Sequence, residues 1–394
     1  MKRPLRILFY KRDLQWPFRS GHDVHTFQMM DALCAAGHHV GLVTARPLAA
    51  SVLESLRLDF VQTLDPSSAS HDANCGLPRL QERFRRFWGV SSTHLETLQQ
   101  ISTHFAADAV VVSGMDVLPI LAYLRGPLRI WYAADELALH HLSQVRLAEP
   151  GTWREVGDAI FKGLYERTFR TAIDRVWAVS DLDARAFTRF AGIRSVDVIP
   201  NGVDSNRYRP SCVPEQPFTA AFWGRLDFGP NIQGLQWFCR RVWPRVLERH
   251  PQAQFTIIGF HPGEAVRRLA TLPAVRLCAD VPDVQELVHQ HAVAVLPFTS
   301  GTGIKNKLLE AAAMGKAIVC TPTALSGLST PPFAGLEKPI GWVQELSLLW
   351  RDESERRRRG LAARQWVTTH HTWSAAAKKA EQAIAAGLRR TRHR

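Results

Sequence analysis

The sequence contains no Cys-x-x-Cys pair. Its six cysteines, Cys34, Cys75, Cys212, Cys239, Cys278 and Cys320, are scattered over the whole chain. That spacing argues against a disulfide framework or a zinc ribbon and suits a reducing cytoplasm. No apolar run reaches the length of about 18 residues that a membrane-spanning helix needs. The opening stretch, Met1-Lys-Arg-Pro-Leu-Arg-Ile-Leu-Phe-Tyr10, has basic residues but only a short apolar run, broken by Arg6 and followed at once by polar residues. It reads as a first strand and not as a signal peptide. There is no short-period repeat, and no low-complexity segment beyond the basic run Arg356–Arg359, which reads as the solvated face of a helix. Helix-turn-helix, zinc-finger and RNA-binding motifs are absent too, and the basic residues are dispersed, so no specific nucleic-acid partner is expected.

What is present is positive charge and apolar patterning. Lys and Arg outnumber Asp and Glu by 49 to 36, a net charge of +13, which points to anionic partners: phosphates, nucleic acid or an acidic membrane surface. Hydrophobic residues make up 46% and charged residues 22%, the balance of a soluble globular protein. A chain of 394 residues is too long for one ordinary core, so two domains are expected.

The pattern agrees. Ile7–Tyr10, Val40–Thr44, Ala109–Val112, Arg129–Tyr132 and Arg175–Val179 read as strands, with a helix over Val24–Ala36. A Pro-, Asn- and Gly-rich stretch from Val198 to Pro217 reads as a link. The pattern then restarts: strand Ala220–Trp223, helix Gly234–Glu248, strands Phe255–Gly259, Val275–Leu277 and Val293–Leu296, helix Lys305–Met314 and strand Ala317–Cys320. Alternation of this kind predicts α/β architecture with two doubly wound parallel sheets, each binding ligands beyond the carboxyl ends of its strands.

The most informative stretch is Pro297-Phe-Thr-Ser-Gly-Thr-Gly-Ile-Lys-Asn-Lys-Leu-Leu-Glu310. An apolar strand feeds a turn with two glycines, and a helix begins near Ile304. Turn amides, the free N–H groups of a first helical turn and the helix dipole together favour an anion. Lys305 and Lys307 put two cations at that mouth, and Glu310, about two turns into the helix, is placed to accept hydrogen bonds from ribose or sugar hydroxyls. The local reading is a nucleotide-diphosphate cradle; its rival is a glycine loop capping an ordinary helix with solvated lysines.

In order along the chain stand Ser20-Gly21 before a helix, Gly37-His38-His39-Val40, Val179-Ser180-Asp181, Ile199-Pro-Asn-Gly-Val-Asp204, Phe222-Trp-Gly-Arg-Leu-Asp-Phe-Gly-Pro-Asn231, Ile257-Ile-Gly259, Asp280-Val-Pro-Asp283, Gly301 to Gly315 and a late Trp373. Over nearly its whole length the chain resembles GT-B glycosyltransferases of family 4, the group 1 retaining transferases, and is similar to sugar transferases of PEP-CTERM-type exopolysaccharide systems. The resemblance implies two Rossmann-like domains facing a cleft: 1–205 for the acceptor, 218–370 for the nucleotide sugar, and a terminal helix, 371–394, crossing back to the first.

It also implies site residues. Gly21 lies in a loop facing donor phosphates and acceptor. Gly224 and Arg225 follow the second domain's first strand, with Arg225 on the diphosphate. The family's lysine six positions later is here Asn231, so the second cation moves to Lys305 or Lys307. The paired glutamates of the family fall at Thr302 and Glu310, with Glu310 on the ribose and Thr302, Gly303 and Ile304 left to grip the sugar. Gly259 and Val281 lie in loops that seat the base. Asp135 is read as the residue that orients the acceptor hydroxyl or stabilises charge on the sugar ring, with a helix N-cap as its structural alternative. The expected catalytic set is Asp135, Arg225 and Lys305. No cofactor is expected, and no metal, since His22 and His25 lack a third ligand.

Residues 79–88 carry Leu80, Phe84, Phe87 and Trp88 at helical spacing beside Arg79, Arg83 and Arg86. This reads as a basic amphipathic helix that takes a cytoplasmic protein to the inner face of the membrane and a lipid-linked acceptor, or else as a helix packed on its own sheet. The expected activity is retaining transfer of a sugar from a nucleotide-diphosphate sugar to a carbohydrate or lipid-linked glycan hydroxyl. A sugar-nucleotide isomerase or hydrolase, and a non-catalytic nucleotide-sugar-binding protein, stand as alternatives.

Overall fold

Residues 3–14, 21–64, 77–134, 137–145, 152–281 and 283–391 are described by the structure, a computed structural model. Internal contacts divide the chain into two units, Met1–Asn201 with Trp373–Arg394, and Gly202–Thr372.

The first unit is built on seven strands: β1 (Arg6–Lys11), β2 (His39–Thr44), β3 (Phe60–Thr63), β4 (Ala109–Ser113), β5 (Leu128–Ala134), β6 (Arg175–Ala178) and β7 (Val196–Val198). They form one sheet in the order β3-β2-β1-β4-β5-β6-β7, and every pairing is parallel. Alternate residues serve opposite faces. Leu8, Tyr10, Val110 and Val112 enter one core, whereas Ile7, Phe9, Ala109 and Val111 enter the other. A sheet covered on both faces needs such continuous apolar strands, which is why the central ones are legible as runs. The helices used below are α1 (Gly21–Ala35), α2 (Ser92–His104), α3 (Leu137–Gln144) and α4 (Thr152–Phe169). Ser91 caps α2 by accepting from the His94 N–H, so that helix starts where the side chain dictates.

The second unit has five strands, β8 (Gln216–Arg225), β9 (Gln254–Phe260), β10 (Val275–Ala279), β11 (His291–Leu296) and β12 (Ala317–Cys320), in the order β10-β9-β8-β11-β12, again all parallel. Its helices include α5 (Gly229–Trp237), α6 (Asn306–Ala313) and α7 (Glu353–His370). Helical structure continues past α5 to Arg249 through a π turn at Phe238–Val242. Pro244 lacks the N–H that an α turn would use there, and the wider turn accommodates it.

The last helix, α8 (Trp373–Thr391), belongs to the first unit. Trp373, Ala376, Ala377, Ala380 and Ile384 lie in the same core as Ile7 and Phe9. Small residues on this seam let the helix approach the sheet closely; a Cβ on Gly387 would stand 2.6 Å from Leu128 Cδ2.

Three sequence expectations differ from the structure. The stretch expected to link the domains is pinned to the second unit. Val203 N–H donates to the His371 carbonyl, and Glu215 receives both Lys316 and Arg356 at 2.8 Å. Internal contacts divide the two units after Asn201 and before Trp373. The run Arg356–Arg359 is a solvated face only in part: Arg357 and Arg358 are exposed, but Arg356 is nearly buried on Glu215, and Arg358 and Arg359 grip Glu355, whose carboxyl their hydrogen bonds push down to about 2. Finally, 79–88 is not one helix. A single turn, Arg79–Glu82, gives way to a 3-10 turn, Arg85–Phe87. Trp88 is buried in the core, and Phe84 packs on Phe161 and Tyr165.

Candidate functional site

In a doubly wound sheet the strand order reverses at one point, and a crevice opens there beyond the carboxyl ends. In the second unit that point lies between β8 and β11, so the segments after Arg225 and Leu296 line it.

The loop after β11 turns on Gly301 (φ 95°) and Gly303 (φ 72°) before α6. Lys305 stands at the N-cap in an extended conformation. Its ammonium folds back and donates to the carbonyls of Gly301, Thr302 and Gly303 at 3.0, 2.6 and 3.0 Å. With those carbonyls turned to the ammonium, the N–H sides of the same peptides face the other way. Lys305 thus braces the loop from within; the sequence reading put either Lys305 or Lys307 on a diphosphate. Thr302 and Ile304 are both buried in this loop, and Thr302 Oγ1 has no hydrogen-bond partner among the described residues.

Another cation beside this loop is Lys307. Its side chain crosses Gly224, where a Cβ would stand 2.0 Å from Lys307 Cε, and its ammonium lies 5.9 Å from the Phe222 ring. Gly224 has φ 132°, a backbone conformation that favours glycine. Burial lowers the Lys307 pKa, the Glu310 charge opposes that shift and Arg225 adds to it. Arg225, the last residue of β8, is partly exposed, donates from Nε to Asp227 at 2.9 Å and lies 5.7 Å from the Phe228 ring. Asn231 is buried behind it, its amide donating to the Arg225 carbonyl at 2.6 Å while Oδ1 has no partner among the described residues. An amide here fixes the backbone that carries Arg225 and brings no charge.

Glu310, on α6, is held by two residues that the sequence reading missed. Trp223 Nε1 donates to Glu310 Oε2 at 2.8 Å. The Tyr208 hydroxyl also bonds Glu310, and the Glu310 charge, with burial, raises the Tyr208 pKa. A buried indole N–H at the end of β8 needs an acceptor, which is the only sequence signal for this contact.

Gly259 (φ 156°) is where β9 touches β8: a Cβ would stand 1.8 Å from the Gly224 carbonyl oxygen. Val281 is partly buried just beyond β10 and adjoins Asp280, whose N–H donates to the Gly259 carbonyl at 2.8 Å.

The first unit's switch point lies between β1 and β4. There a cavity of about 280 Å³ is lined by Lys11, Arg12, His22, Ser113, Asp116 and Ala133, among others. Lys11 Nζ is buried 3.3 Å from Asp23, and Arg12 meets Asp116 at 3.0 Å, so both cations are neutralised. Burial, and then Lys11, lower the His22 pKa to about 4, while a hydrogen bond to the Ala133 carbonyl opposes them. His22 is therefore neutral at physiological pH. His25, by contrast, packs in the core against the rings of Tyr132 and Trp373. Gly21 opens α1 beside this cavity's His22. Asp135 lies outside the described residues, directly after Ala134, whose φ of 60° is rare for alanine. His141, nearby in sequence, is engaged by Glu155 at 2.7 Å and by Lys162.

Residues 217–331 match the family model described as glycosyl transferases group 1. A search of curated proteins finds no match. Among solved structures, a sucrose-phosphate synthase from Thermosynechococcus elongatus superposes with a TM-score of 0.70 at 16% identity, covering 96% of this chain and 98% of that one. HepE from Anabaena, solved in complex with UDP and glucose, gives 0.63 at 14%, with coverage of 97% and 99%. A glycosyltransferase from Rickettsia africae gives 0.63 at 12%, with coverage of 98% and 99%. The fold is GT-B, two parallel-sheet α/β units. Within it the chain carries a glycosyl transferases group 1 domain, and fold and domain together support a GT-B glycosyltransferase.

Proposed function

We propose that the protein is a retaining, family 4-like glycosyltransferase. It moves a sugar from a nucleotide-diphosphate sugar to a hydroxyl of a carbohydrate or lipid-linked glycan, in exopolysaccharide or cell-surface glycan synthesis. The observation that carries the reading is the β8/β11 crevice, where Arg225, Lys307 and a glycine turn braced by Lys305 converge. HepE, the neighbour solved with UDP and with UDP-glucose, supports a uridine nucleotide as the first donor to try.

In the proposed reaction the anomeric C–O bond to the diphosphate breaks while the acceptor oxygen bonds the same face of that carbon. The acceptor proton passes to the departing phosphate oxygen. Arg225, Lys307 and the loop amides meet charge that grows on the leaving diphosphate, so they favour the transition state over bound donor. Glu310, held by Trp223 and Tyr208, takes ribose hydroxyls. Asp135 orients the acceptor hydroxyl. No step uses a metal.

One observation favours a second reading, a nucleotide-sugar-binding protein without turnover: the neutral Asn231 and Thr302 each leave a buried polar atom without a partner among the described residues. The test is a thermal-shift panel of UDP, GDP, ADP and dTDP with their sugars, on wild type and Arg225→Ala, followed by assay for product. A ligand at a hundred times its Kd stabilises by about 2.7 kcal/mol. One nucleotide should shift wild type and not the variant. No shift from any nucleotide overturns the proposal, and a shift without product leaves only the binding reading.

A further inference from the structure

The residues of 79–88 that stay exposed join a larger surface on α4. Trp153, Ile160 and Leu164 are 84%, 59% and 55% exposed. At 100° per residue they fall on one helical face, together with Gly157 and Arg167. The 79–88 segment lies alongside: the Phe87 ring packs at a tilt on Phe161 at 4.3 Å between ring centroids, and Gln81 donates to the Thr168 carbonyl. Phe87 and Leu80, 53% and 55% exposed, extend the apolar face.

Basic side chains border it. Arg79, Arg83, Arg86, Arg154 and Arg167 are all exposed, and none forms an ion pair with another described residue. Isolated apolar side chains on a surface are ordinary, but five large ones in one patch, including a nearly bare tryptophan, mark an interaction surface. The basic border selects its partner. An indole and aliphatic side chains enter the headgroup boundary of a bilayer while arginines meet anionic headgroups.

We propose that the α4 face with Leu80 and Phe87 docks the protein on an anionic lipid surface. The device is a composite of two segments and not the single helix that the 79–88 pattern suggests. Its position suits an acceptor held in lipid. Because α4 leads directly into β6, its Trp153 end points toward the carboxyl edge of the first sheet, where the cavity beside His22 opens. The helix is about 27 Å long at 1.5 Å per residue, long enough to rest along a membrane surface. This proposal does not depend on the sugar-transfer reading.

The test is flotation with vesicles of phosphatidylcholine alone or with one-third phosphatidylglycerol, at low and high salt. Wild type should float with the anionic vesicles only, and less as salt rises. Arg79, Arg83 and Arg86 changed together to Gln should lower partitioning roughly a hundredfold. Trp153→Ser with Ile160→Ser should abolish flotation at physiological salt. Each variant's melting temperature is compared with that of wild type to show that it folds, and nucleotide-induced shifts are read separately, so a failure of the catalytic reading stays distinguishable. Absence of wild-type flotation overturns the proposal. So does loss in the arginine variant alone, which would reduce binding to net charge, or a dimer by light scattering that Trp153→Ser dissociates, which would give the face to a second copy of the chain.

Discussion

Lys305 and Lys307 are two residues apart, and the sequence pattern sets both at the same mouth, yet their ammonium groups have different surroundings. Removing Lys305 strips a partner from three loop carbonyls. Lys305→Met should therefore lower stability by about 1–3 kcal/mol without any ligand, seen as a fall in melting temperature. Lys307→Met should leave that temperature nearly unchanged, because burial of the charged form already disfavours the ammonium, and should instead weaken nucleotide binding tenfold or more by calorimetry. The same burial predicts a pH effect. Lys307 loses its proton at a lower pH than free lysine, so nucleotide affinity should begin to fall below the usual lysine range as pH rises, and Lys307→Met should be insensitive there. Trp223→Phe tests the positioning of Glu310. It removes the bond at 2.8 Å and should raise the donor KM several-fold with little change in kcat, whereas Glu310→Ala should do so more strongly.

Elements show where sequence reasoning reaches and where it stops. Strands buried on both faces, such as Val110–Val112, are legible because their environment forces an unbroken apolar run. The edge strands β3 and β7 were not, because their residues are half-exposed and carry no such run. Residues 79–88 misled for a related reason: Phe84 and Trp88 are core residues of the unit, and helical spacing cannot tell a stripe facing lipid from one facing a sheet. The glycine turn, Arg225 and Glu310 were legible as a local motif. Tyr208 and Trp223 were not, since their contacts with Glu310 join segments far apart in the chain. The seam of α8 gives a test at this scale. Ala380 is fully buried against the sheet, so Ala380→Leu should overpack it, costing about 1–3 kcal/mol and lowering the melting temperature by several degrees.

For the whole molecule, composition suggested a link where the structure has an anchor. Glu215 lies in the Pro- and Asn-rich stretch after Asn201, and its partners are 101 and 141 residues away, which no local pattern encodes. Lys316 is nearly buried and also donates to the carbonyls of His289 and His291. Glu215→Gln leaves that ammonium without its counter-charge, and breaking such a pair costs about 3–5 kcal/mol. The sign with pH follows. Burial already lowers the Lys316 pKa while Glu215 raises it, so the variant's Lys316 sheds its proton earlier. Its deficit against wild type should be largest near neutrality, where a charge must be buried unpaired, and should narrow as pH rises and both proteins hold a neutral lysine. Because Glu215 belongs to Gly202–Thr372, the unit of the proposed nucleotide cradle, differential scanning calorimetry should show that the substitution lowers the same transition that bound nucleotide raises. If nucleotide raises one transition and Glu215→Gln lowers another, then either the anchor or the cradle has been assigned to the wrong unit.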